Sequence, residues 1–296
     1  MKEYEHIHPD FRYILGLSTK ERIEFMDQPR WIGYPMANRI IESMRGLMEK
    51  PARPRMTNLL IVGEPNNGKT TIIRHFFDLY GQGYVGEDSE PVKPVILIEA
   101  PPTADEKSFH IAVLERFWAP YRATDPVSKL RYQCIHQLRT CKTRLLIIDE
   151  IHSLLTGSAI KQREVMNAIK FLCNELMIPI VGVGTSESVR ILHTDSQHAS
   201  RFDVIFLPLW EPNQEFQRLV ASFEKILPLK QRSNLKQPEL VHLLHTISGG
   251  NFGDLHRLLV ECAKEAILNN QEYIDKTVIN QKSWLRPSRN IREVVI

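Results

Sequence analysis

Residues 58–71 read NLLIVGEPNNGKTT: a short apolar run, then a lysine flanked by glycine, then two threonines. The run has the length and composition of a strand buried on both faces. Gly63, Gly68, Lys69 and Thr70 satisfy G-x-x-x-x-G-K-[ST], and the residues that follow read as a helix through Tyr80. A strand, a glycine loop and a helix in that order make a phosphate cradle. The glycines let backbone N–H groups turn inward, and the helix N-terminus adds partial positive charge. Lys69 then reaches the β- and γ-phosphates, and Thr70 offers its hydroxyl to Mg²⁺. Glu64, Pro65, Asn66, Asn67 and Thr71 fill out the expected binding loop. The implied ligands are ATP and Mg²⁺. The loop alone does not distinguish a kinase, a motor, a switch or a DNA-transaction ATPase.

Beyond the loop, four more apolar runs follow: PVILIEA (94–100), RLLIIDE (144–150), PIVGVGT (179–185) and DVIFLPL (203–209). Helical segments lie between most of them. Five such runs joined by crossovers predict an α/β fold, a parallel five-stranded sheet with helices on both faces. After Trp210 the strands cease. Asn213–Leu227, Gln237–Thr246, Gly253–Asn269 and a stretch near Thr277 read as a small all-helical lid. Upstream, Ser18 with Glu21 forms a capping-box pattern, and Met36, Ile40, Met44 and Leu47 keep helical spacing until Pro51. The expected domains are an N-terminal helical segment (1–57), an α/β nucleotide-binding core (58–211), a helical lid (212–280) and a basic tail (281–296).

The run ending in Asp149 and Glu150 supplies the other half of the site. A buried strand ending in Asp149 suits Mg²⁺ coordination, and Glu150 beside it suits orientation or activation of an attacking water. Such a carboxylate is expected when the acceptor is water. A helix N-terminal acid favoured by the dipole is the alternative for Glu150. In GVGTSES, Thr185 or Ser186 can hold the lytic water at the carboxyl edge of the sheet, or cap the next helix. Arg201, just before the fifth run, can make a salt bridge or, in a head-to-tail assembly, reach a neighbour's γ-phosphate as an arginine finger. Arg190 is a second candidate for that role.

Composition bounds the rest. The 296 residues are 43% hydrophobic and 25% charged, ordinary for a globular protein with a sizeable core. No stretch approaches the roughly 18 to 20 apolar residues needed to span a bilayer, and the first ten residues lack the apolar centre of a signal peptide. The expectation is a cytoplasmic protein with no membrane partner. Cys134, Cys141, Cys173 and Cys262 fit neither a disulfide framework nor zinc spacing and are expected as buried or idle thiols. The net charge of +3 is too small to imply nucleic acid by itself. The tail holds Lys282, Arg286, Arg289 and Arg292 against Glu293, and Trp284 with the terminal EVVI makes it a candidate docking segment.

The order of glycine loop, IIDE, GT, SRF and a helical lid with GGNFGDLHRLL resembles the AAA+ ATPases. More narrowly, the chain is similar to the TniB and TnsC transposition ATPases. The residues that carry this are ERIEFMDQPRWIGYPMANRII, PRMTNLLIVGEPNNGKTTIIRHF, LLIIDEIHSLLTGS, GVGTSESVRIL and QHASRFDVIFLPLW, with the lid motif, over about residues 18 to 270. The RWIGYP block and DEIHSLL push it toward TniB. The resemblance implies Lys69 and Thr70 for phosphate and Mg²⁺, Asp149 and Glu150 for Mg²⁺ and water, Thr185 as sensor and Arg201 as a trans-acting finger. It implies Ile32 and Tyr34 near the adenine; core residues of an N-terminal helix is the alternative. One departure stands out. Initiator-type lids place an arginine two residues after GD, where this chain has His256, with Arg257 displaced by about 100° around the helix. Lid sensing through His256 or Arg257 is then expected to be weak or absent, and hydrolysis slow.

The expected activity is that of an ATP-dependent regulator of DNA transposition. Head-to-tail homo-oligomers with ATP at subunit interfaces would form an open filament on duplex DNA, act on a DDE transposase and a target-selection protein, and release on hydrolysis. Contacts to arbitrary sequence must be to phosphates. Lys107, Lys129 and Arg131, after the second strand, are the candidates; solvated helix faces explain them equally well. A helicase loader or replication initiator is one alternative, and a nucleotide-dependent scaffold with negligible turnover is another.

Overall fold

A computed structural model describes residues 4–192 and 200–283. The expected docking segment from Trp284 onward lies outside them. In chain order the elements are helices α1 (Thr19–Asp27) and α2 (Pro35–Glu49), strand β1 (Asn58–Gly63), α3 (Lys69–Tyr80), β2 (Tyr84–Val85), β3 (Pro91–Val92) and β4 (Val95–Glu99). There follow α4 (Glu106–Glu115), α5 (Val127–Thr140), β5 (Leu145–Asp149), α6 (Ala159–Leu176), β6 (Ile180–Gly184), α7 (Val189–Leu192) and β7 (Phe202–Leu207). The last four helices are α8 (Gln214–Glu224), α9 (Pro238–Ser248), α10 (Phe252–Leu268) and α11 (Lys276–Gln281).

These elements make two compact bodies. The α/β body comprises Pro35–Pro65 and Lys69–Leu207. The helical body comprises the described chain up to Tyr34, Asn66–Gly68, and the described residues from Pro208 onward.

In the α/β body all five apolar runs become strands of one sheet, ordered β4-β5-β6-β1-β7 and parallel throughout. Alternation sends Leu60, Val62, Ile96, Ile98, Leu146, Ile148 and Ile180 to one face, where they join buried residues of α4, α5 and α6 in a single apolar cluster. Their neighbours Leu59, Ile61, Leu145, Ile147, Val181 and Val183 are equally buried on the other face. There α2 packs on α3 and α3 on the sheet. Helices on both faces explain why these strands are apolar continuously rather than alternately. Asn58, buried at the start of β1, ties the sheet together by accepting from Ile180 N–H at 2.9 Å. The hairpin of β2 and β3 was not expected: two residues per strand carry no readable period. Cys134, Cys141 and Cys173 are buried here, and burial pushes the thiols up, Cys134 to about 12 and Cys173 to about 11.

In the helical body, Ser18 and Glu21 close the expected capping box at the start of α1. Helices α8 to α11 follow the expected spans closely and bury Phe216, Leu219, Phe223, Leu244, Leu255 and Leu258. The buried Arg22 of α1 donates from Nη1 to Glu272 Oε1 at 2.8 Å and from Nε to Pro228 O at 3.1 Å, tying the N-terminal helix to the C-terminal ones. Among the described residues, no helix is long and apolar enough to cross a membrane.

Candidate nucleotide site

Because the five strands are parallel, their carboxyl ends share one edge of the sheet, the edge at which open α/β sheets bind ligands. β1 delivers Gly63 there, β5 delivers Asp149 and β6 delivers Gly184 followed by Thr185. The strand order places β6 between the glycine-loop strand and the acid-bearing strand. Gly63 lies so close to β7 that an added Cβ would sit 2.9 Å from Leu207 O, so a larger residue would displace the mouth of the loop. The loop turns through left-handed residues, Asn66 at φ 60° and Gly68 at φ 86°, before α3 begins at Lys69. Left-handed residues of this kind are the backbone conformation from which anion-binding nests are built.

Lys69 is only 6% exposed. Its Nζ donates to the loop carbonyls of Gly63 at 2.9 Å and Glu64 at 2.7 Å. Burial holds its pKa below the ordinary lysine value, while the charges of Glu150, Asp149 and Glu64 pull it back up. An ammonium gathered among carbonyls and carboxylates is a cation ready to exchange them for phosphate oxygens. Thr70 Oγ1 donates to Asp149 Oδ2 at 2.9 Å. An uncharged hydroxyl and a buried carboxylate in contact form an all-oxygen donor set, which suits Mg²⁺. The residues present therefore fit the cation that the motif implies. Thr71, on the next position of α3, is exposed.

Glu150 follows Asp149 in the left-handed region at φ 52°, ψ 36°, and its N–H donates to Asp149 Oδ1 at 2.9 Å. A left-handed non-glycine residue carries strain, and such strain gathers at functional sites. Glu150 occupies the N-cap position of the turn Ile151–Leu155 but makes no side-chain cap bond, and its carboxylate is 42% exposed. Thr185 likewise stands at an N-cap position without a side-chain cap bond. Its hydroxyl is therefore not spent on capping; Ser186 is exposed.

Arg201 is placed differently. Its N-terminal side of β7 pairs with the start of β1, in the register Asn58↔Phe202, and its carbonyl accepts from Asn58 N–H at 2.7 Å. β1 advances about 17 Å between Asn58 and Gly63 at roughly 3.3 Å per residue, so Arg201 lies at the opposite edge of the sheet from its own glycine loop. Its guanidinium donates to Asn174 Oδ1 at 2.7 Å, and among the described residues it pairs with no carboxylate. Arg190 is exposed on α7. The candidate DNA contacts all have internal partners: Lys107 donates to Ala123 O, Lys129 pairs with Asp125 at 2.8 Å, and Arg131 pairs with Glu106 and lies over the Phe171 ring at 5.5 Å.

Within the helical body, Asn66–Gly68 dock on the start of α10. Asn66 Nδ2 donates to Asp254 Oδ1 at 2.8 Å, Gly253 N–H donates to Asn66 O at 2.9 Å, and Asn67 Oδ1 accepts from Phe252 N–H at 3.2 Å. Ile32 and Tyr34 are buried, at 7% and 6% exposure, with the Tyr34 ring against Trp210 and Phe252 at centroid distances of 5.0 and 5.7 Å. Burial pushes the Tyr34 hydroxyl pKa up. His256 packs against Phe223, and burial, aided by the Arg30 charge, lowers its pKa below 6.5, so the imidazole is uncharged at neutral pH. Arg257 is half-buried. Sequence reasoning passed over the Asn66–Asp254 pairing, which no local pattern announces. It also passed over His152, which the D-E-x-H spacing could have flagged.

Comparison with solved structures places this arrangement among known folds. The chain is similar to the Aeropyrum pernix ORC2 protein in its ADPNP–ADP complexes, with a TM-score of 0.65 at 13% identity, covering 90% of this chain and 72% of that one. It is similar to Cdc6p from Pyrobaculum aerophilum, with a TM-score of 0.61 at 13% identity, covering 88% and 70%. It is also similar to the Aeropyrum pernix ORC1 protein in complex with DNA, with a TM-score of 0.59 at 15% identity, covering 88% and 68%. At these identities the likeness shows the fold alone, that of the AAA+ P-loop NTPases. No curated protein matches the chain. The family model for the bacterial TniB protein matches residues 22–212, which take in the glycine loop, Asp149 and Glu150, Thr185 and Arg201. The chain belongs to the TniB family.

Proposed function

We propose that the protein hydrolyses ATP and uses the cycle to assemble on duplex DNA and regulate transposition. The observation that carries the reading is the Thr70–Asp149 contact at 2.9 Å with Lys69 and Glu150 around it. Membership of the TniB family supports transposition as the setting. The ORC2 protein with ADPNP and ADP, and the ORC1 protein with DNA, support a nucleotide and a duplex as ligands.

Lys69 would exchange loop carbonyls for the β- and γ-phosphates. Thr70 and Asp149 would hold Mg²⁺, which when bound neutralises charge on the phosphate oxygens. Glu150 would take a proton from water as its oxygen bonds to the γ-phosphorus; the bond to the bridging oxygen breaks and its electron pair leaves on ADP. Thr185 would orient that water. Ile32 and Tyr34 would border the adenine. Arg201 lies too far from its own loop to touch the same nucleotide, which supports a role on a neighbour's γ-phosphate and hence ATP at subunit interfaces. Head-to-tail contacts that fail to close give a helical filament. Its DNA contacts, with Lys107, Lys129 and Arg131 as candidates, would be to phosphates. Assembly would present a surface to a transposase and a target-selection protein, and hydrolysis would release it. The uncharged His256 supports slow turnover, and so favours as second reading a scaffold that binds ATP with negligible hydrolysis.

Phosphate release measured with and without duplex DNA tests this. Release stimulated by DNA and abolished by Glu150→Gln is expected. ATP-dependent DNA assembly with no release would select the scaffold, and absence of both would overturn the proposal.

A further inference from the structure

His152 stands two residues beyond Glu150, in the turn Ile151–Leu155. Its side chain is 27% exposed overall, but Nδ1 is fully buried and, among the described residues, has no hydrogen-bond partner. The anion beside it is Glu150 Oε2, at 3.2 Å. The ring is also wedged against the end of β6: a Cβ built on Gly184 would lie 3.2 Å from His152 Nδ1 and would also strike the buried Ser188 Oγ. A buried ring N–H left without an acceptor is costly, whereas an exposed carboxylate in contact with it can turn to accept. The left-handed backbone at Glu150 brings that carboxylate back over the turn toward the ring.

We infer that His152 is a positioning residue for Glu150: its Nδ1–H takes Oε2, fixes the rotamer of the carboxylate and leaves Oε1 to receive the proton of the attacking water. The ring lies beside Gly184, the residue before Thr185, and so against the strand that carries the proposed water sensor. The inference rests on the proposed hydrolysis, and concerns the orientation of its base rather than nucleotide binding. Among the described residues no hydrogen bond or ion pair joins His152 to the glycine loop or to Thr70, so nucleotide affinity is expected not to depend on it.

The test compares His152→Phe, which keeps a ring without a donor, with His152→Asn, whose amide can donate from near the Nδ1 position. Hydrolysis and ATP affinity are measured separately, with thermal unfolding as a check of the fold. His152→Phe is expected to lower kcat on the order of tenfold with ATP affinity unchanged, and His152→Asn to recover most of the loss. Equal kcat in the wild type and His152→Phe overturns the inference, as does a rise in kcat, which would mean the imidazole restrains Glu150. Equal loss in both variants, or loss of affinity in parallel with kcat, also overturns it, since the ring would then be packing alone. If His152→Phe fails to fold, His152→Asn against His152→Asp decides, because aspartate offers no donor and repels Glu150. Absence of Glu150-dependent hydrolysis in the wild type overturns the proposed function and this inference with it. Wild-type hydrolysis indifferent to residue 152 overturns this inference alone.

Discussion

Thr70 and Asp149, 79 residues apart in sequence, meet through a hydrogen bond of 2.9 Å from the threonine hydroxyl to the aspartate carboxylate. The strand order forces the meeting: β5 carries Asp149 to the same edge at which β1 passes into the glycine loop and α3. A hydrogen bond to a charged acceptor contributes about 1.5–3 kcal/mol, and in the proposed site the same two side chains hold the cation. Thr70→Ala should therefore lower stability by no more than about that amount, and both Thr70→Ala and Asp149→Asn should remove the effect of Mg²⁺ on ATP affinity. Titrating a fluorescent ATP analogue with Mg²⁺ and with EDTA checks this. A variant that keeps the full Mg²⁺ enhancement would remove that residue from the cation site.

Lys69 allows a pH prediction. Burial depresses its pKa below 10.5, and the nearby carboxylates only partly restore it. The protonated form is the one that binds phosphate. As pH rises, the free protein loses that proton earlier than an ordinary lysine would, so ATP affinity should begin to fall at alkaline pH below 10.5. Lys69→Ala should bind ATP weakly and without this alkaline fall. Affinity measured by calorimetry across the alkaline range, in wild type and variant, separates the lysine from other titrating groups.

Much of this site was legible in the sequence because its logic is local. NLLIVG, RLLIIDE and PIVGVGT are apolar runs too continuous for surface strands, and each ends in the residue that the shared edge presents: Gly63, Asp149 or Thr185. What was not legible depends on pairing across long separations. Nothing near Arg131 says that Glu106, 25 residues away, engages its charge. Nothing near Asn66 announces Asp254, 188 residues away. Tyr34 reads as a conspicuous aromatic, yet only the packing puts it against Trp210 and Phe252. Strands of two residues, like Tyr84–Val85, lie below the length at which periodicity exists.

The Arg22–Glu272 pair is another such long-range contact, and it bears on stability rather than chemistry. The guanidinium and carboxylate are both largely buried, at 3% and 13% side-chain exposure. Removing one partner of a buried pair leaves an uncompensated charge and costs about 3–5 kcal/mol. Arg22→Ala should lower the urea midpoint sharply, and Arg22→Met with Glu272→Met should recover much of it. Burial pushes the Glu272 pKa up, but the bonds from Arg22 and from Lys230 N–H outweigh it and hold it below 4.5. A depressed folded-state pKa gives stability that is complete above the ordinary value and lost as pH falls through the depressed one. The gap between wild type and Arg22→Ala should therefore narrow in acid, below pH 4.5. A gap independent of pH would mean that Glu272 does not respond to Arg22.

Arg201 yields the prediction that most directly separates a shared site from a solitary one. It sits at the far edge of the sheet from its own glycine loop, and among the described residues its guanidinium donates to the neutral Asn174 side chain, which leaves its charge for another subunit in the proposed assembly. Arg201→Ala should bind ATP normally but hydrolyse it slowly. Glu150→Gln should also bind and fail to hydrolyse, for the separate reason that it lacks the base. Mixed together, the two variants can form an interface in which the Arg201→Ala subunit supplies Glu150 and its Glu150→Gln neighbour supplies Arg201. Hydrolysis in the mixture should then exceed that of either variant alone, up to about the share of interfaces with that orientation. Asn174→Ala, which only frees the guanidinium, should leave this complementation intact. Mixtures that remain as inactive as their components would place Arg201 outside the reaction and make its bond to Asn174 its whole role.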